Sequence, residues 1–567
     1  MTILRHTFPP ALRRPAGRPG LPALAAFAPA SARRSRWPGL PALAALALAL
    51  AGCAVGPDYQ RAPVDVPAAY KEAGGPAGAA SLPAGSPWKL AQPAEQQPRG
   101  QWWRVFGDET LNRLQDRAMQ ANQDLQAAAA RLRQARALHR DARSGLFPQV
   151  DVGAGVTRQR PSPASQGLPD DADSSASTLW RAQVGASYEA DLFGRVSATV
   201  AAAQAGAERS EALFHSVRLA LQGDVAASYF LLREMDAEQA LYAETVALRR
   251  RTLDLVQRRY DEGDISELDL ARARSELSAA ESESLGVARR RSVAEHALAI
   301  LLGSTPADFS LPAMPLEHVQ IAVPAGLPSA LLERRPDIAA AERAMAEANA
   351  RVGAAQAAFF PRLEISGALG FEAGQAGNLF DWSTRSFLLG PLVGTMLSLP
   401  IFDGGRREAG LELARARYEE DVAAYRQAVL GAFREVEDSL ANLRILDEQT
   451  SAQDAAVDAS VRAAGLSHLQ YREGSVSYLD VIDADRSVLQ RRLLAVQLRG
   501  EQARSTVALI RALGGGWDGA RHGPAPVAGQ APVAATDPAA APAAAPGQPA
   551  PAPASGAAPA QSASSSG

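Results

Sequence analysis

The sequence predicts a mixed α and β membrane protein that is internally duplicated. Residues 180–192 (WRAQVGASYEADL) alternate strictly between apolar and polar side chains, which indicates a β-strand with one apolar face. The segment 194–260 contains no proline and predicts a helix over 196–260, roughly 100 Å long at about 1.5 Å per residue. The landmarks around both segments return later in the chain, which indicates that one structural plan occurs twice.

The N-terminal residues predict an exported lipoprotein. Seven arginines and no acidic residue precede Cys53, and an apolar stretch at 40–50 leads into Leu50–Cys53 (LAGC). This stretch is shorter than the about 20 residues that cross a bilayer, but it suits the hydrophobic core of a signal peptide. Small residues before the only cysteine resemble a bacterial lipobox, whose cysteine is acylated; the alternative is an incidental cysteine. We therefore expect removal of 1–52 and a covalent lipid on Cys53. By the same resemblance, Ala54 favours the outer membrane.

Charge and motifs exclude several classes of protein. Without residues 1–52, 51 basic residues face 61 acidic ones, a net charge of about −10, which excludes nucleic acid as a partner. The seven histidines show no metal-ligand spacing. The HExxH, GxSxG and phosphate-loop patterns are absent. We therefore expect no enzyme activity, no metal site and no cofactor besides the lipid on Cys53.

Paired landmarks define the duplication. The segment 260–269 (YDEGDISELD) returns as 471–480 (YREGSVSYLD). Three dipeptides also return: Gly194-Arg195 as Gly405-Arg406, Leu302-Gly303 as Leu513-Gly514, and Phe147-Pro148 as Phe360-Pro361. The predicted organisation is a signal peptide (1–52), a lipid-anchored lead (53–107), a first copy (108–303), a linker (304–327), a second copy (328–514) and a disordered Ala/Pro-rich tail (515–567).

Each copy is predicted to contain a helix, two strands and a long helical hairpin. In the first long helix a heptad seam with a few polar interruptions is typical of a coiled coil. Its positions are 225, 228, 232, 235, 239, 242, 246, 249, 253, 256 and 260. Gly263 and Gly474 end the long helices, and a returning helix follows each of them. A globular core cannot cover such helices, so we expect an elongated bundle that includes other subunits.

Four strands are predicted, at 148–160, 180–192, 363–371 and 387–401. These lengths suit a transmembrane barrel, where about 9–11 tilted residues cross the bilayer. Four strands cannot close a barrel, and an open edge is unstable in lipid, so other copies must complete it. Two copies give about eight strands and a filled interior, whereas three give about twelve and leave room for a channel. The alternative is a small soluble sheet that packs on helices.

The order of several segments resembles that of the TolC-type outer membrane factors, most closely their lipoprotein branch (OprM- and NodT-like). The matching segments are CAVGPDYQRAPVDVP (53–67), WWRVFGDETLNRLQDRAMQANQDLQAA (102–128), LERRPDIAAAE (332–342), FFP (359–361), IFDGGRR (401–407) and YREGSVSYLDVIDADRSVL (471–489). The resemblance implies a homotrimer with a twelve-stranded transmembrane β-barrel, four strands per chain. A long α-helical coiled-coil barrel continues this barrel into the periplasm of a Gram-negative cell.

The implied function is efflux of small molecules such as drugs. In the family, a periplasmic adaptor (membrane fusion protein) and an inner-membrane pump, here of the RND type, dock below the channel, which itself performs no chemistry. Two alternatives remain open. One is the outer membrane channel of a type I protein secretion system. The other is a periplasmic coiled-coil adaptor or scaffold without a pore, although an adaptor would have one hairpin flanked by soluble β-domains.

The resemblance also implies a gate at the hairpin tips. Asp483 matches an acidic ring at the periplasmic constriction, and Asp480 matches a second acidic position. Tyr471 matches a tyrosine that hydrogen-bonds to the neighbouring hairpin, where the partner position is Asp269. Leu479 is a candidate apolar constriction. For the two aspartates of the returning helix, the alternative is an ordinary solvated helix face.

Adaptor docking is expected at the tips themselves. These are centred on Gly263 and Gly474 and include Ile265 and Val476. Some family members carry a basic residue where Val476 stands, so their salt-bridge lock is not expected here.

Overall fold

The computed structural model describes residues 55–73 apart from 68, 101–316 apart from 170, 172 and 174, 334–388, 395–515, and two short segments at 89–90 and 321–322. The signal peptide, Cys53 and the tail after Gly515 lie outside the described residues. Among the described residues, every helix is too short or too polar to serve as a membrane span.

The described helices and strands follow one another in the predicted order. The helices are α1 (Glu109–Ala121), α2 (Gln123–Ser144), α3 (Arg195–Asp261), α4 (Glu267–Leu301), α5 (Pro336–Ala357), α6 (Arg406–Arg472) and α7 (Tyr478–Ala512). The strands of the main sheet are β1 (Gln149–Gln159), β2 (Ser177–Ala190), β3 (Arg362–Ala373), β4 (Arg385–Leu388) and β5 (Thr395–Ser398). A separate pair, Lys89–Leu90 and Ile321–Ala322, forms a short parallel ladder.

The helix lengths confirm the duplication. The two long helices, α3 and α6, contain 67 residues each, and the returning helices α4 and α7 contain 35 each. The shorter helices α2 and α5 contain 22 residues each. Both long helices follow a glycine in the left-handed region, with φ 79° at Gly194 and 87° at Gly405. The same Gly-Arg step therefore connects each strand pair to the helical hairpin that follows it.

The sheet is antiparallel and runs β1–β2–β3, with β4 and β5 both paired to β3. The apolar face predicted for β1 is exposed in the single chain, and Val152 retains 84% of its accessible surface. The two outer edges of the sheet, β1 on one side and β4 with β5 on the other, have no further strand within the described residues. The first three predicted strands are confirmed.

The fourth predicted strand, 387–401, is wrong as a continuous element. The structure has two four-residue strands instead, with Ala368 opposite Leu388 and Ile365 opposite Thr395. Two residues of β3 separate these paired segments, whereas residues 389–394 separate β4 from β5, so one unbroken ladder cannot hold both. Pro400, which has no backbone N–H to donate, follows the end of β5.

Four helices lie side by side in the order α2, α3, α5, α6, and the returning helices pack on this row. One core cluster joins α1, α3, α4 and α7 and includes Trp102, Trp103, Leu111, Val225, Tyr229, Leu232 and Leu298. A second joins α5, α6 and α7 around Ile338, Met345, Tyr425 and Val429. The predicted heptad seam of α3 is buried or half-buried at every position except Tyr260. The seam therefore packs on the other helices as its period predicts.

Gly303, after the end of α4, packs closely against the backbone at the end of α1. Its φ is 66°, and a Cβ there would lie 2.2 Å from the carbonyl oxygen of Ala121. Gly263 has φ 81° but open space around the same position. The left-handed backbone costs either alanine variant about 1–2 kcal/mol. Gly303→Ala also forces the backbone apart, so we expect it to lower the midpoint of thermal unfolding in detergent clearly more than Gly263→Ala. Equal shifts would contradict this packing.

Candidate gate at the hairpin tips

The tips are two tight turns of the same design. In the first, α3 ends at Asp261 and α4 starts after the N-cap residue Ser266. In the second, α6 ends at Arg472 and α7 starts after the N-cap residue Ser477. The predicted tip glycines lie in these turns with positive φ, 81° at Gly263 and 74° at Gly474. Ile265 and Val476 occupy equivalent, half-buried positions just before the N-caps.

Asp480 caps the start of α7. Its Oδ2 accepts hydrogen bonds from the Ser477 backbone N–H at 2.9 Å and from the Ser477 hydroxyl at 2.6 Å. These bonds lower the pKa of the Asp480 carboxyl. Asp269 holds the matching place on α4, where its Oδ2 accepts from the Ser266 hydroxyl at 3.1 Å. Both aspartates thus serve the helix starts, a role that the Ser-x-x-Asp spacing indicates.

Tyr471 is bound differently from the prediction. Its hydroxyl accepts a hydrogen bond from Arg259 Nη1 at 3.3 Å, and its ring lies 5.6 Å from that of Tyr478. Asp269, the predicted partner, instead has Arg272 at 3.5 Å besides Ser266. In the described part of a single chain, Tyr471 therefore joins the two hairpins through Arg259 of α3. Sequence reasoning did not identify this arginine.

Leu479, Asp483 and Arg486 share one exposed face of α7. Their spacing of four and then three residues places them on one stripe of the helix. Arg486 Nη1 lies 3.6 Å from Asp483 Oδ1. The buried side of the same helix segment carries Tyr478, Val481 and Ile482, which pack on α3 and α4. This stripe presents an apolar, an acidic and a basic side chain in succession.

A buried carboxylate joins the two hairpins just behind this stripe. Glu276 of α4 pairs with Arg249 of α3 at 2.7 Å and with Arg486 of α7. The hydrogen bond to Glu276 raises the pKa of the Arg486 guanidinium. The positions equivalent to Arg249 and Glu276 in the second copy hold Ser460 and Ser487. The second hairpin therefore lacks an equivalent arginine–glutamate pair at these positions. No local pattern in the sequence indicates the contact between Glu276 and Arg486.

Two further glutamates of the first hairpin repeat this arrangement along the bundle. Glu238 accepts a hydrogen bond from Gln497 at 2.7 Å, and Glu234 pairs with Arg504. Burial raises the pKa of Glu234, although Arg504 acts in the opposite direction. Buried acceptors on α3 and α4 thus meet donors on α7 at three levels. We call Glu234, Glu238 and Glu276 with their α7 partners the inter-hairpin ladder.

The N-terminal lead starts at the end of the helices that is remote from the tips. Cys53 is outside the described residues, but the Val55 N–H points to the Phe193 carbonyl oxygen at 3.5 Å, beside the end of β2. Arg61 then pairs with Glu342 of α5 at 2.7 Å. Burial favours the protonated form of Glu342, yet the bond from Arg61 and other charges lower the pKa of its carboxyl. The lead therefore begins next to the sheet and continues along the helices to Glu72, which pairs with Arg444 in the middle of α6.

The chain contains two strand pairs, and a long helical hairpin follows each of them. This fold defines the class of protein as a channel subunit of the outer membrane. The sequence pattern of the family described as "Outer membrane efflux protein" matches residues 114–304 and 327–515. The chain belongs to this family. The predicted resemblance to the TolC-type factors is thereby confirmed.

Individual proteins support the same assignment. The solvent efflux pump outer membrane protein SrpC of Pseudomonas putida is 36% identical over 477 residues, which cover 83% of this chain and 97% of SrpC. The outer-membrane channel OprN has a TM-score of 0.73 at 30% identity, over 82% of this chain and 99% of OprN. The open state of the MtrE channel of Neisseria gonorrhoeae has a TM-score of 0.68 at 30% identity, over 82% and 99%.

These findings identify the chain as an outer membrane channel component of an efflux system that extends into the periplasm. The family match and the similar proteins do not agree with the alternative prediction of a periplasmic adaptor or scaffold without a pore. Within the described residues, no group of His, Cys, Asp and Glu side chains could hold a metal ion.

The different settings of Asp480 and Asp483 can be separated experimentally. Asp480→Ala removes the acceptor for Ser477, so the start of α7 should fray and proteolytic cleavage within 473–480 should become several times faster. Asp483→Ala should leave that cleavage rate unchanged and instead reduce cation selectivity in planar bilayers. Limited proteolysis and reversal potentials measure the two effects. If Asp483→Ala speeds cleavage as much as Asp480→Ala, the two roles are not distinct.

Proposed function

We propose that three copies of this chain form a continuous conduit for small molecules from an inner-membrane pump to the outside of the cell. The observation that carries this proposal is the four-stranded width of the sheet, with two outer edges left open. Backbone groups at an open edge have no partner in lipid, so a single copy is not a stable membrane structure. Three copies supply about twelve strands, enough for a water-filled interior.

The attachment to the membrane is proposed to include acyl chains on Cys53. Val55, two residues later, lies beside Phe193 at the sheet end of the helices, which favours an anchor at the membrane surface. More than one acyl chain is needed for firm anchoring, because each buried methylene contributes about 0.8 kcal/mol. Cys53→Ser should abolish lipid attachment, which mass spectrometry of the mature protein measures.

The cargo is proposed to be small and uncharged or apolar, and the channel itself to catalyse no reaction. SrpC is named for solvent efflux, and this supports small molecules over the proteins of a type I secretion system. The energy would come from an inner-membrane pump of the RND type, joined through a periplasmic adaptor. The adaptor would dock on the tips at Gly263, Ile265, Gly474 and Val476.

The gate is proposed to lie on the exposed stripe of α7. Around a threefold axis, Leu479 becomes an apolar ring and Asp483 an acidic ring that attracts cations. Asp480 belongs mainly to the capping of α7 and Tyr471 to the contact between the hairpins. Arg486 keeps α7 against the first hairpin through Glu276, so outward movement of the second hairpin must break this pair.

A strain that lacks its own outer membrane efflux channel tests the function. Expression of the full chain together with its cognate pump and adaptor should raise resistance to apolar solvents and drugs. Purified protein should form cation-selective pores in planar bilayers. Secretion of a protein substrate without any change in solvent or drug susceptibility would favour the type I system instead.

Arg486→Gln tests the closed gate. Glu276 keeps Arg249, so no buried charge is orphaned, but the link to α7 is lost. The pair is half-exposed on the Arg486 side, and we expect a loss of about 1 kcal/mol after screening, or roughly a fivefold larger open population. Single-channel recording measures this population. Arg492→Gln is the matched control, because Arg492 lies on the same helix and its pair with Glu244 is exposed and 3.8 Å long. Equal open populations in both variants and the wild type would contradict the role of Arg486.

A further inference from the structure

We infer that a cavity beside the middle of α3 is a docking site for the first prolines of the chain's own C-terminal tail. The cavity has aromatic and apolar walls, and its occupant is the segment 523–527 (Gly-Pro-Ala-Pro-Val) in the polyproline II conformation. This inference is independent of the proposed function, because it concerns a contact within one copy of the chain and neither the cargo nor the gate.

The cavity is small and mostly apolar. It lies where residues 106–108 and the linker residues 314–316 come together against α3, and its volume is about 220 Å³. Its lining includes the rings of Phe106, Tyr229 and Phe230. Sites for drug-sized ligands have volumes of about 300–1,000 Å³, so this cavity suits a narrower ligand. Proline-rich segments are narrow and stiff, and they bind grooves that are lined by aromatic side chains.

The aromatic walls are fixed by the core. Trp102, Phe106 and Phe230 form a row, with ring centroids 6.5 Å apart in the first pair and 4.8 Å apart in the second. Tyr229 and Phe230 are only 1% and 2% exposed. The Tyr229 hydroxyl also donates a hydrogen bond to Asp108, the N-cap residue of α1. A ligand can therefore bind without first ordering the side chains of the cavity, which lowers the entropic cost of binding.

Arg233 provides a hydrogen-bond donor that the described residues leave unused. The residue is 3% exposed and lines the cavity. Its Nη1 donates to Asp236 at 2.9 Å and to the Pro312 carbonyl oxygen at 2.8 Å. Its Nε is buried and has no acceptor among the described residues. A buried donor is costly without an acceptor. A polyproline II segment makes no internal hydrogen bonds, so its carbonyl oxygens are free to accept one.

The tail leaves the described part of the chain close to this cavity. A Cβ atom on Gly515 would lie 3.3 Å from Trp102 Cδ1 and 2.6 Å from Leu219 Cδ1. Trp102 is the first ring of the aromatic row, and the next ring, Phe106, lines the cavity. Pro524 follows Gly515 by nine residues, which span up to about 30 Å in an extended chain. The first prolines of the tail therefore reach the cavity while the helices keep their positions.

The composition of the tail suits this contact. Residues 516–567 consist mainly of alanine, proline and glycine, and the first prolines are Pro524 and Pro526. Because proline fixes its own φ close to the polyproline II value, the segment loses little conformational entropy when it binds. The tail is also joined to the cavity by a short connection, which gives an effective concentration in the millimolar range. Even a weak contact of this kind is therefore occupied most of the time.

Two other segments of the chain lie within reach of the cavity, and both fit it less well. Residues 317–320 (Glu-His-Val-Gln) continue from the lining residue Leu316, but three of these four side chains are polar. Trp517 is the only Phe, Tyr or Trp residue of 516–567. Its indole has a donor and no acceptor, so it does not satisfy the Nε of Arg233. The proline segment supplies both the apolar surface and the acceptors.

Trypsin cleavage after Arg521 tests the docking. Arg521 is the only Lys or Arg of 516–567, so this cleavage releases 522–567 as one fragment, which mass spectrometry measures. In detergent-solubilised full-length protein, Pro524→Gly with Pro526→Gly should release the fragment several times faster than the wild type, because the docked segment no longer shields the bond. The matched control, Pro546→Gly with Pro549→Gly, makes the same change outside the docking segment and should cleave at the wild-type rate.

Met314→Glu tests the cavity without changing the tail. Met314 lines the cavity and is 39% exposed, so the fold tolerates a charge there, but the charge opposes an apolar ligand. Release of the fragment should again be several times faster, with helix content unchanged in circular dichroism. Added peptide 522–530 in excess over the effective concentration should also speed release from the wild type. The same peptide with glycine at both proline positions is the control and should have no effect.

Each outcome either supports or overturns the contact. Equal release from the wild type and the Pro524/Pro526 variant would overturn docking of 523–527. Faster release from Met314→Glu alone would assign the cavity to Trp517 and also overturn it. Faster release from the proline variant alone would mean that the prolines bind another surface. If Met314→Glu loses helix content, the proline variant and the added peptide decide. Pore activity is expected in every case, so failure of this inference is distinct from failure of the proposed function.

Discussion

The obligation of every backbone N–H and C=O group to find a partner in a bilayer dominates this structure. A hairpin satisfies the inner groups of its two strands, and the duplication joins two hairpins through β2 and β3. Each addition still leaves two outer edges, and unsatisfied groups in hydrocarbon cost several kcal/mol each. Only closure removes the edges. The duplication therefore reduces the number of copies needed for closure, but it does not make the single chain sufficient.

The periplasmic part is under a different physical constraint. Its helices satisfy their own backbone groups and lie in water, so closure is not required of them. The two hairpins share one heptad plan, yet their chemistry has diverged. The first carries the buried acceptors Glu234, Glu238 and Glu276, whereas the second supplies Arg486, Gln497 and Arg504. Buried pairs of this kind add little net stability compared with apolar packing, but they penalise any arrangement that leaves a charge alone. Such a ladder favours one alignment of the hairpins without fusing them permanently.

Much of this architecture could be predicted from local patterns. Alternation indicated β1, β2 and β3, and the repeated glycine and proline landmarks indicated both hairpins. The fourth strand was harder, because an apolar segment with two prolines does not show which residues leave the ladder. The capping role of Asp480 was recognisable from Ser477 three residues before it. The resemblance to gate residues instead led to the prediction that Asp480 belongs to the gate. Glu276 and Arg486 are 210 residues apart, so only the folded chain shows that they meet.

Arg486 connects the charge of the proposed gate with the position of the hairpins. It lies 3.6 Å from Asp483 on the same helix, and it also pairs with Glu276 on the neighbouring hairpin. One guanidinium thus serves two carboxylates of unequal burial. While Glu276 binds Arg486, the exposed Asp483 is only partly neutralised, and the proposed acidic ring remains attractive to cations. If α7 moves away, Arg486 loses Glu276 and enters water, where its attraction to the exposed Asp483 is weakened by solvent screening. Opening would then widen the passage while the exposed carboxylate of Asp483 continues to attract cations, in agreement with the cation selectivity expected of the open pore.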